Sequence, residues 1–159
     1  MKKASIYIET SIISYLAARP SRDLMVAACQ QITAPWWETS RESYDVVTSD
    51  IVVIESGEGD AQTARQRLAL LKGILAIEVT EEARQLAAAL IGKGAMPKKA
   101  QADALHIALA AMHNVKYLLT WNCRHINNPA TKPYIREIRR SRGYGCPEIR
   151  TPFDIMELG

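Results

Sequence analysis

Short apolar runs alternate with longer segments that carry apolar residues at helical spacing. Apolar and β-branched residues cluster between polar turns in five runs, and these predict strands at residues 5–8, 44–48, 74–79, 117–120 and 148–150. Good helix formers with helical periodicity predict helices at residues 12–17, 51–55, 61–72, 81–91, 98–112 and 131–142. Ser49, Asp50 and Thr80 are plausible N-caps, and Gly73 ends the helix at 61–72.

Strands that alternate with helices predict an α/β fold. The expected architecture is one domain over residues 1–159, with a mostly parallel central sheet and helices on both faces. In such folds, ligands bind beyond the carboxyl ends of the strands. Glu9 follows the first strand, Asn122 follows the strand at 117–120, and Glu55 lies on the helix after the second strand. We therefore expect these three polar residues to meet at one edge of the sheet.

Composition narrows the class of protein. The chain has 159 residues, 48% of them hydrophobic, which suffices for one core without disulfide or metal staples. A net charge of +3 permits an anionic partner but does not identify one. Three cysteines without CxxC spacing argue against a disulfide framework or zinc site, and no phosphate-binding glycine motif is present. The N-terminal apolar run is too short and too acidic for a signal peptide, so we expect a soluble, cytoplasmic protein.

Three acidic residues are candidates for chemistry, although each has an ordinary explanation. Asp103 interrupts an Ala-rich helix, where it could also complement the helix dipole or pair with Lys98 or Lys99. Glu9 directly follows an apolar strand, where a partly desolvated carboxylate needs a cation or donors, but a helix cap would look similar. Glu55 alone resembles part of a solvated acidic loop. Only the set of three is informative.

Four segments, in order, resemble the motifs of the PIN-domain family, and of its VapC toxin type in particular. Residues 6–11, IYIETS, are similar to the family's start, a strand ending in an acid followed by Thr and a small polar residue. Residues 49–55 resemble its second acidic motif, and ADALHIA at 102–108 closely resembles the third. YLLTWN at 117–122 stands where the family has a strand ending in Thr and a fourth polar or acidic residue. The resemblance covers about the whole chain.

The resemblance implies an endoribonuclease that depends on Mg²⁺ or Mn²⁺ and hydrolyses RNA with a metal-activated water, leaving a 5′-phosphate and a 3′-hydroxyl. It also implies the toxin of a toxin-antitoxin pair, with a cognate antitoxin and a homodimer as assemblies. Four residues are assigned to catalysis, of which the first three would bind the metal: Glu9, Glu55, Asp103 and Asn122. The hydroxyls of Thr10 and Ser11 would orient water or ligands.

Two residues depart from the commonest pattern of this family. Glu9 stands where Asp is usual, and Asn122 stands where Asp is frequent. Because Asn122 brings no charge, one divalent ion would leave the three carboxylates with one net negative charge, and two ions would leave one positive charge. We therefore expect one ion before RNA binds. The alternative function is a catalytically weak or inactive PIN-like module that binds RNA or protein.

Basic residues offer a surface for RNA. Arg136, Arg139 and Arg140 fall on one helix face, although a solvated basic helix balanced by Glu137 would have the same pattern. Three more cations lie nearer the acidic residues in sequence: Lys98, Lys99 and Arg124.

Aromatic and imidazole side chains complete the set of candidates. Of the adjacent Trp36 and Trp37, one could stack on a base or contact a protein while the other packs inward. His106 could face Asp103, and His125 follows the fourth motif, but both are interpreted as supporting or structural residues because Mg²⁺ prefers oxygen ligands.

Overall fold

The computed structural model describes residues 2–92, 94 and 96–157. The strands in this part of the chain are β1 (Ala4–Ile8), β2 (Tyr44–Ser49), β3 (Leu75–Ile77), β4 (Tyr117–Leu119) and β5 (Glu148–Arg150). The α-helices are α1 (Thr10–Ala17), α2 (Leu24–Pro35), α3 (Asp50–Ser56), α4 (Ala61–Leu71), α5 (Glu81–Gly92), α6 (Gln101–Met112), α7 (Lys132–Ser141) and α8 (Pro152–Glu157).

The five strands form one parallel sheet in the order β3-β2-β1-β4-β5. The chain builds outward from β1 through β2 to β3, and then returns to place β4 on the other side of β1. The carboxyl ends of β1 and β4 therefore flank the point at which the strand order reverses. Ligands of open parallel sheets bind at such a point. The predicted α/β fold with a parallel sheet flanked by helices is confirmed.

Helices pack around the sheet in two groups. The helices α1, α3 and α4 contact one another, and α2 contacts α1 and α8, whereas α5 contacts α6 and α7. The central strand β1 is covered so completely that Ile6, Tyr7 and Ile8 are fully buried. Helix α6 is buried from Ala104 to Ala111, because it is apolar on nearly every side.

The predicted elements correspond to observed ones with small shifts. Ser49 caps α3 by accepting from the backbone N–H of Val52, and Thr80 accepts from that of Ala83 at the start of α5. The helix predicted at 98–112 begins later, because Lys98–Ala100 forms a tight 3₁₀ turn before α6. The loop predicted at 92–97 includes residues 93 and 95, which lie outside the described residues.

Two helices were not predicted. The helix α2 follows Asp23, whose side chain accepts from the N–H of Val26, but its apolar residues follow no single stripe. The helix α8 begins at Pro152 after a reciprocal cap, in which Thr151 and Asp154 each accept from the other's backbone N–H. None of the helices in the described part of the chain combines the length and the apolar character that a membrane span requires.

Candidate functional site

Glu9 lies at the carboxyl end of β1 and is only 5% exposed. Its Oε1 accepts hydrogen bonds from the hydroxyls of Ser11, at 2.5 Å, and Thr120, at 2.6 Å. The Ser11 Oγ also accepts from the backbone N–H of Trp121, at 2.8 Å, which ties the start of α1 to the segment after β4. Two hydroxyl donors provide the partners that a buried carboxylate needs.

Glu55, in the last turn of α3, extends toward the same region from the β2 side. Its Oε1 accepts from the hydroxyl of Thr10, at 2.6 Å, and from Nε2 of His106, at 2.8 Å. Although burial alone would raise the pKa of Glu55, the hydrogen bonds from His106 and Thr10 and the charge of His106 lower it below 4.5. The side chain is 28% exposed, so it remains accessible to a ligand.

A chain of buried hydrogen bonds orients His106. The Tyr7 hydroxyl lies 2.7 Å from His106 Nδ1 and 2.7 Å from Ser49 Oγ. Burial raises the pKa of Tyr7 well above its usual value, so the hydroxyl keeps its proton. If His106 is neutral, Nδ1 accepts from Tyr7 and Nε2–H donates to Glu55; if it is cationic, Nε2–H still donates to Glu55. In both protonation states, His106 Nε2–H donates a hydrogen bond to Glu55.

His106 also relates the three predicted acids to one another. Burial would lower its pKa, but the hydrogen bond to Glu55 and the negative charges of Glu9, Glu55 and Asp103 raise it above 6.5. Of the three acids, only Glu55 is hydrogen-bonded to the imidazole, and Glu9 and Asp103 influence its pKa through their charge. The expectation that Glu9, Glu55 and Asn122 meet at one edge of the sheet stays a prediction.

Asp103 is held from the other side by His125. Its Oδ2 lies 2.9 Å from His125 Nδ1, and the two side chains are 22% and 18% exposed. Asn122 Oδ1 accepts from the backbone N–H of His125 at 3.0 Å, so the Asn122 side chain shapes the turn that brings His125 to Asp103. The contact of Asp103 is thus with His125, whereas His106 contacts Glu55.

The carboxylate oxygens of Glu9, Glu55 and Asp103 are the type of ligand that a hard divalent cation prefers. In each of Glu9, Glu55 and Asp103, one carboxylate oxygen is hydrogen-bonded, and the other accepts no hydrogen bond from the described residues. However, within residues 2–92, 94 and 96–157, no three His, Cys, Asp or Glu side chains are grouped closely enough to hold a metal ion. Mg²⁺ commonly binds through one or two carboxylates and keeps several waters, so it does not require such a cage.

The predicted RNA-binding cations differ in their exposure. Lys98, Lys99 and Arg124 are exposed, as are Arg136 and Arg140 on α7. Arg139 is partly buried, and its Nη1 donates to the backbone oxygen of Tyr144 at 3.0 Å. The basic face of α7 is therefore divided between solvent and the protein.

The suggestion that one tryptophan of the adjacent pair stacks on a base or a partner is wrong. Trp36 is fully buried, Trp37 is 8% exposed, and both lie in a π-helical turn at Trp36–Ser40. Their role is core packing, and the guanidinium of Arg41 covers the Trp37 ring at 4.1 Å.

Sequence reasoning did not assign Tyr7, Ser49 or Thr120 to the site. Tyr7 carried a usable signal, because a hydroxyl within an otherwise apolar parallel strand needs a buried partner. Thr120 carried another, since it ends a strand beside the one that ends at Glu9. The partner of each hydroxyl is 42 to 111 residues away, and only the folded sheet reveals it.

Comparison with known proteins gives a structural neighbour. No protein-family profile matches the sequence, and no curated protein matches it either. The chain is similar to one in the crystal structure of VapBC2 from Rickettsia felis bound to a DNA fragment from their promoter. The two share 15% sequence identity at a TM-score of 0.55, over 92% of this chain and 97% of the other. At that identity, the likeness shows the fold alone, and it supports the predicted PIN-like fold of VapC type.

Proposed function

We propose that the chain is a metal-dependent endoribonuclease of the VapC toxin type, acting in the cytoplasm. The observation that carries this proposal is a set of carboxylates held at the carboxyl side of a parallel sheet: His106 holds Glu55, His125 holds Asp103, and buried Glu9 lies at the switch point. Each of them keeps one carboxylate oxygen that accepts no hydrogen bond from the described residues, as a ligand for a cation would. The VapC-like fold supports the same conclusion.

The proposed cofactor is one Mg²⁺ or Mn²⁺ ion. Glu55 and Asp103 would hold it, and Glu9 would bind it directly or through water. Such an ion would stabilise negative charge on the scissile phosphate and supply an activated water. The protein's own contribution is to fix the acids: His106 and Thr10 hold Glu55, and His125 holds Asp103. Outer partners of this kind keep ligands in position.

The hydroxyls and Asn122 take more specific roles than the resemblance implied. The Thr10 hydroxyl donates to Glu55 and the Ser11 hydroxyl donates to Glu9, so both position carboxylates. Asn122 positions His125 through its carbonyl oxygen. Its amide nitrogen remains available to a phosphate or a water. We propose that these residues support the site and that no side chain acts as a covalent nucleophile.

A second candidate function is a PIN-like module that binds RNA or protein without cutting. It is favoured by the absence, among the described residues, of three metal-ligating side chains in one group. It is also favoured by Asn122, whose oxygen is already used within a turn. The two candidates share a fold and differ in whether the carboxylates bind a cation.

An antitoxin is the proposed protein partner. The similar solved chain comes from a VapBC2 assembly on promoter DNA. In this protein, Ile54 on α3 and Leu68 on α4 are 60% and 39% exposed, and Ile54 adjoins Glu55 in sequence. We propose that the antitoxin covers these apolar side chains and so restricts access to Glu55. We expect co-purification with the product of an adjacent gene, and a homodimer by light scattering.

Cleavage and metal binding should be measured separately. The purified chain is incubated with single-stranded and structured RNA in Mg²⁺ or Mn²⁺, with and without EDTA, and Mn²⁺ binding is followed by electron paramagnetic resonance. Asp103→Asn should lower both by about 100-fold or more. Asp60→Asn is the matched control, because Asp60 is exposed and Asn is an equally good N-cap for α4.

The outcomes separate the two functions. Cleavage that survives EDTA, or an Asp103→Asn protein as active as its parent, contradicts the ribonuclease. RNA binding with neither cleavage nor Mn²⁺ binding supports the non-cutting module.

A further inference from the structure

A cavity of about 240 Å³ lies between α5, α6, α7 and β5, apart from the carboxylates. Its floor is apolar and includes Leu90 from α5, Ile107 and Ala111 from α6, and Ile149 from β5. Each of these four side chains is at most 7% exposed, so the floor belongs to the folded core. Its size suits one flat ring system.

The rim of the same cavity is strongly basic. Lys132, Arg136 and Arg139 share one face of α7, and Arg150 projects from β5 opposite them. Glu148 is the one acid among the residues lining it, and it pairs with Arg150 at 3.1 Å. The cavity therefore combines an apolar floor with an excess of positive charge.

Apart from the pair of Arg150 with Glu148, no acid lining the cavity neutralises its cations. Burial lowers the pKa of Lys132, and the neighbouring Arg150 and Arg136 lower it further, against an opposing effect of Asp154. The Nε of Arg139 is buried and has no hydrogen-bond partner among the described residues. Buried donors and crowded cations are costly unless an anion is bound.

Two elements lead from the cavity toward the carboxylates. Ile107 and Ala111 follow Asp103 on α6 at spacings of four residues, so the three positions lie on one helix face. On the sheet, the backbone N–H of Thr120 donates to the oxygen of Arg150 at 3.0 Å, and the Thr120 hydroxyl donates to Glu9. The backbone of Arg150 is thus hydrogen-bonded to the residue whose hydroxyl holds Glu9.

We infer that this cavity binds one unpaired RNA nucleotide beside the scissile phosphate, with its base on the apolar floor and its flanking phosphates on Lys132, Arg136 and Arg150. The inference rests on the proposed function, and it adds that the substrate presents a single-stranded nucleotide there. A base within a duplex cannot enter such a cavity, whereas an unstacked one can. A strand leaving an acidic site also needs nearby cations, which favours RNA over an acidic peptide.

Binding is tested in Asp103→Asn protein with EDTA, so that no cleavage occurs. Fluorescence anisotropy follows a short labelled single strand, the same strand with one abasic nucleotide, and a duplex, over a range of salt concentrations. Arg136→Ala should weaken binding of both single strands about 10-fold and reduce the salt slope by about one unit. Arg65→Ala is the matched control, because Arg65 is an exposed arginine within a helix, α4, and does not line the cavity.

The base contact has its own readouts. Ala111→Leu fills the floor and should weaken the intact strand about 10-fold, with an unchanged salt slope and little effect on the abasic strand. Thermal unfolding checks that this variant folds. A second test needs no core substitution, because Cys146 lines the cavity and is exposed. In a Cys123→Ser background, the intact strand should slow the labelling of Cys146 by a thiol reagent, and the abasic strand should not.

The results distinguish this inference from the ribonuclease proposal. Selective binding of the intact single strand with no cleavage by the parent supports the cavity and removes the nuclease. Cleavage by the parent, with Arg136→Ala binding like Arg65→Ala and no protection of Cys146, overturns the cavity and keeps the nuclease. Loss of a co-purifying protein in Arg136→Ala, with RNA binding unchanged, would make the cavity a peptide site and also overturns the inference.

Discussion

Replacing Tyr7 with Phe removes a single hydroxyl from the centre of the fold. That hydroxyl joins Ser49 Oγ to His106 Nδ1, at 2.7 Å each, and Tyr7 is fully buried. Phe keeps the ring and its packing, so the change tests hydrogen bonding and leaves core volume nearly constant. Ser49 Oγ still accepts from the N–H of Val52. The Ser49 hydroxyl, which donates to the Tyr7 oxygen when Tyr7 donates to His106, loses that acceptor, and His106 Nδ1 is the atom left with no hydrogen-bond partner at all.

The expected cost follows from that orphaned atom. A buried polar group that loses its partner costs about 1–3 kcal/mol. Taking about 2 kcal/mol and a shift of about 2–4 °C per kcal/mol for a chain of this size, Tyr7→Phe should lower Tm by roughly 4–8 °C. Tyr134→Phe is the control, because Tyr134 is 54% exposed. Its free energy of unfolding should stay within about 0.5 kcal/mol of the parent.

The assay is urea unfolding followed by circular dichroism, with thermal melts in parallel. The midpoint should fall in Tyr7→Phe while the m-value stays constant, since the surface exposed on unfolding hardly changes. Long-range proton–nitrogen NMR of the imidazoles should show the proton of His106 on Nε2 in the parent. A Tyr7→Phe protein as stable as Tyr134→Phe, with the same His106 spectrum as the parent, would refute the hydrogen-bonded chain.

Three further predictions concern separate parts of the molecule. Thr120→Val should lower the free energy of unfolding by about 1.5–3 kcal/mol, because it removes a hydroxyl donor from buried Glu9. The loss should be smaller in a Glu9→Gln background. Urea titrations of the parent, the two single variants and the double variant measure this coupling. Asp60→Ala should lower Tm at neutral pH, because hydrogen bonds from the first turn of α4 stabilise the Asp60 carboxylate and lower its pKa. This stabilisation is present above the pKa of Asp60 in the unfolded chain and is lost as the pH falls through its pKa in the folded protein. The difference in Tm between the variant and the parent should therefore shrink as the pH falls below 3.8. Gly145→Ala should change the free energy of unfolding by less than about 1 kcal/mol in thermal melts, because the added Cβ would meet the end of the exposed Asn114 side chain, which can rotate away.

The sheet and most of the helices could be predicted because their signals are local. Five apolar runs and their polar turns mark the strands, and Ser49 and Thr80 mark helix starts. Helix α2 escaped prediction because its apolar residues are spread around the helix, and Leu24 and Met25 in its first turn are exposed. Local periodicity cannot identify a helix whose apolar positions follow no stripe.

The candidate site, too, could be predicted only in part. The acids themselves were visible from their segments, since Glu9 follows a strand, Asp103 lies in the first turn of a helix, and Glu55 lies on the helix after the second strand. Their partners were not, because the pairing of Glu55 with His106 spans 51 residues and that of Glu9 with Thr120 spans 111. Sequence spacing suggested that His106 would face its neighbour Asp103, but the strand order carries it to Glu55 instead.

The position of β1 explains why one strand supplies so much of this site. Parallel neighbours on both sides bring the ends of β2 and β4 against its carboxyl end. Side chains two apart on a strand project to the same face, so Tyr7 and Glu9 both point toward one side of the sheet. Tyr7 fixes the histidine that holds Glu55, while Glu9 is fixed by a hydroxyl from the segment after β4. A substitution in β1 should therefore disturb several carboxylates together, whereas a substitution at His125 should disturb Asp103 alone.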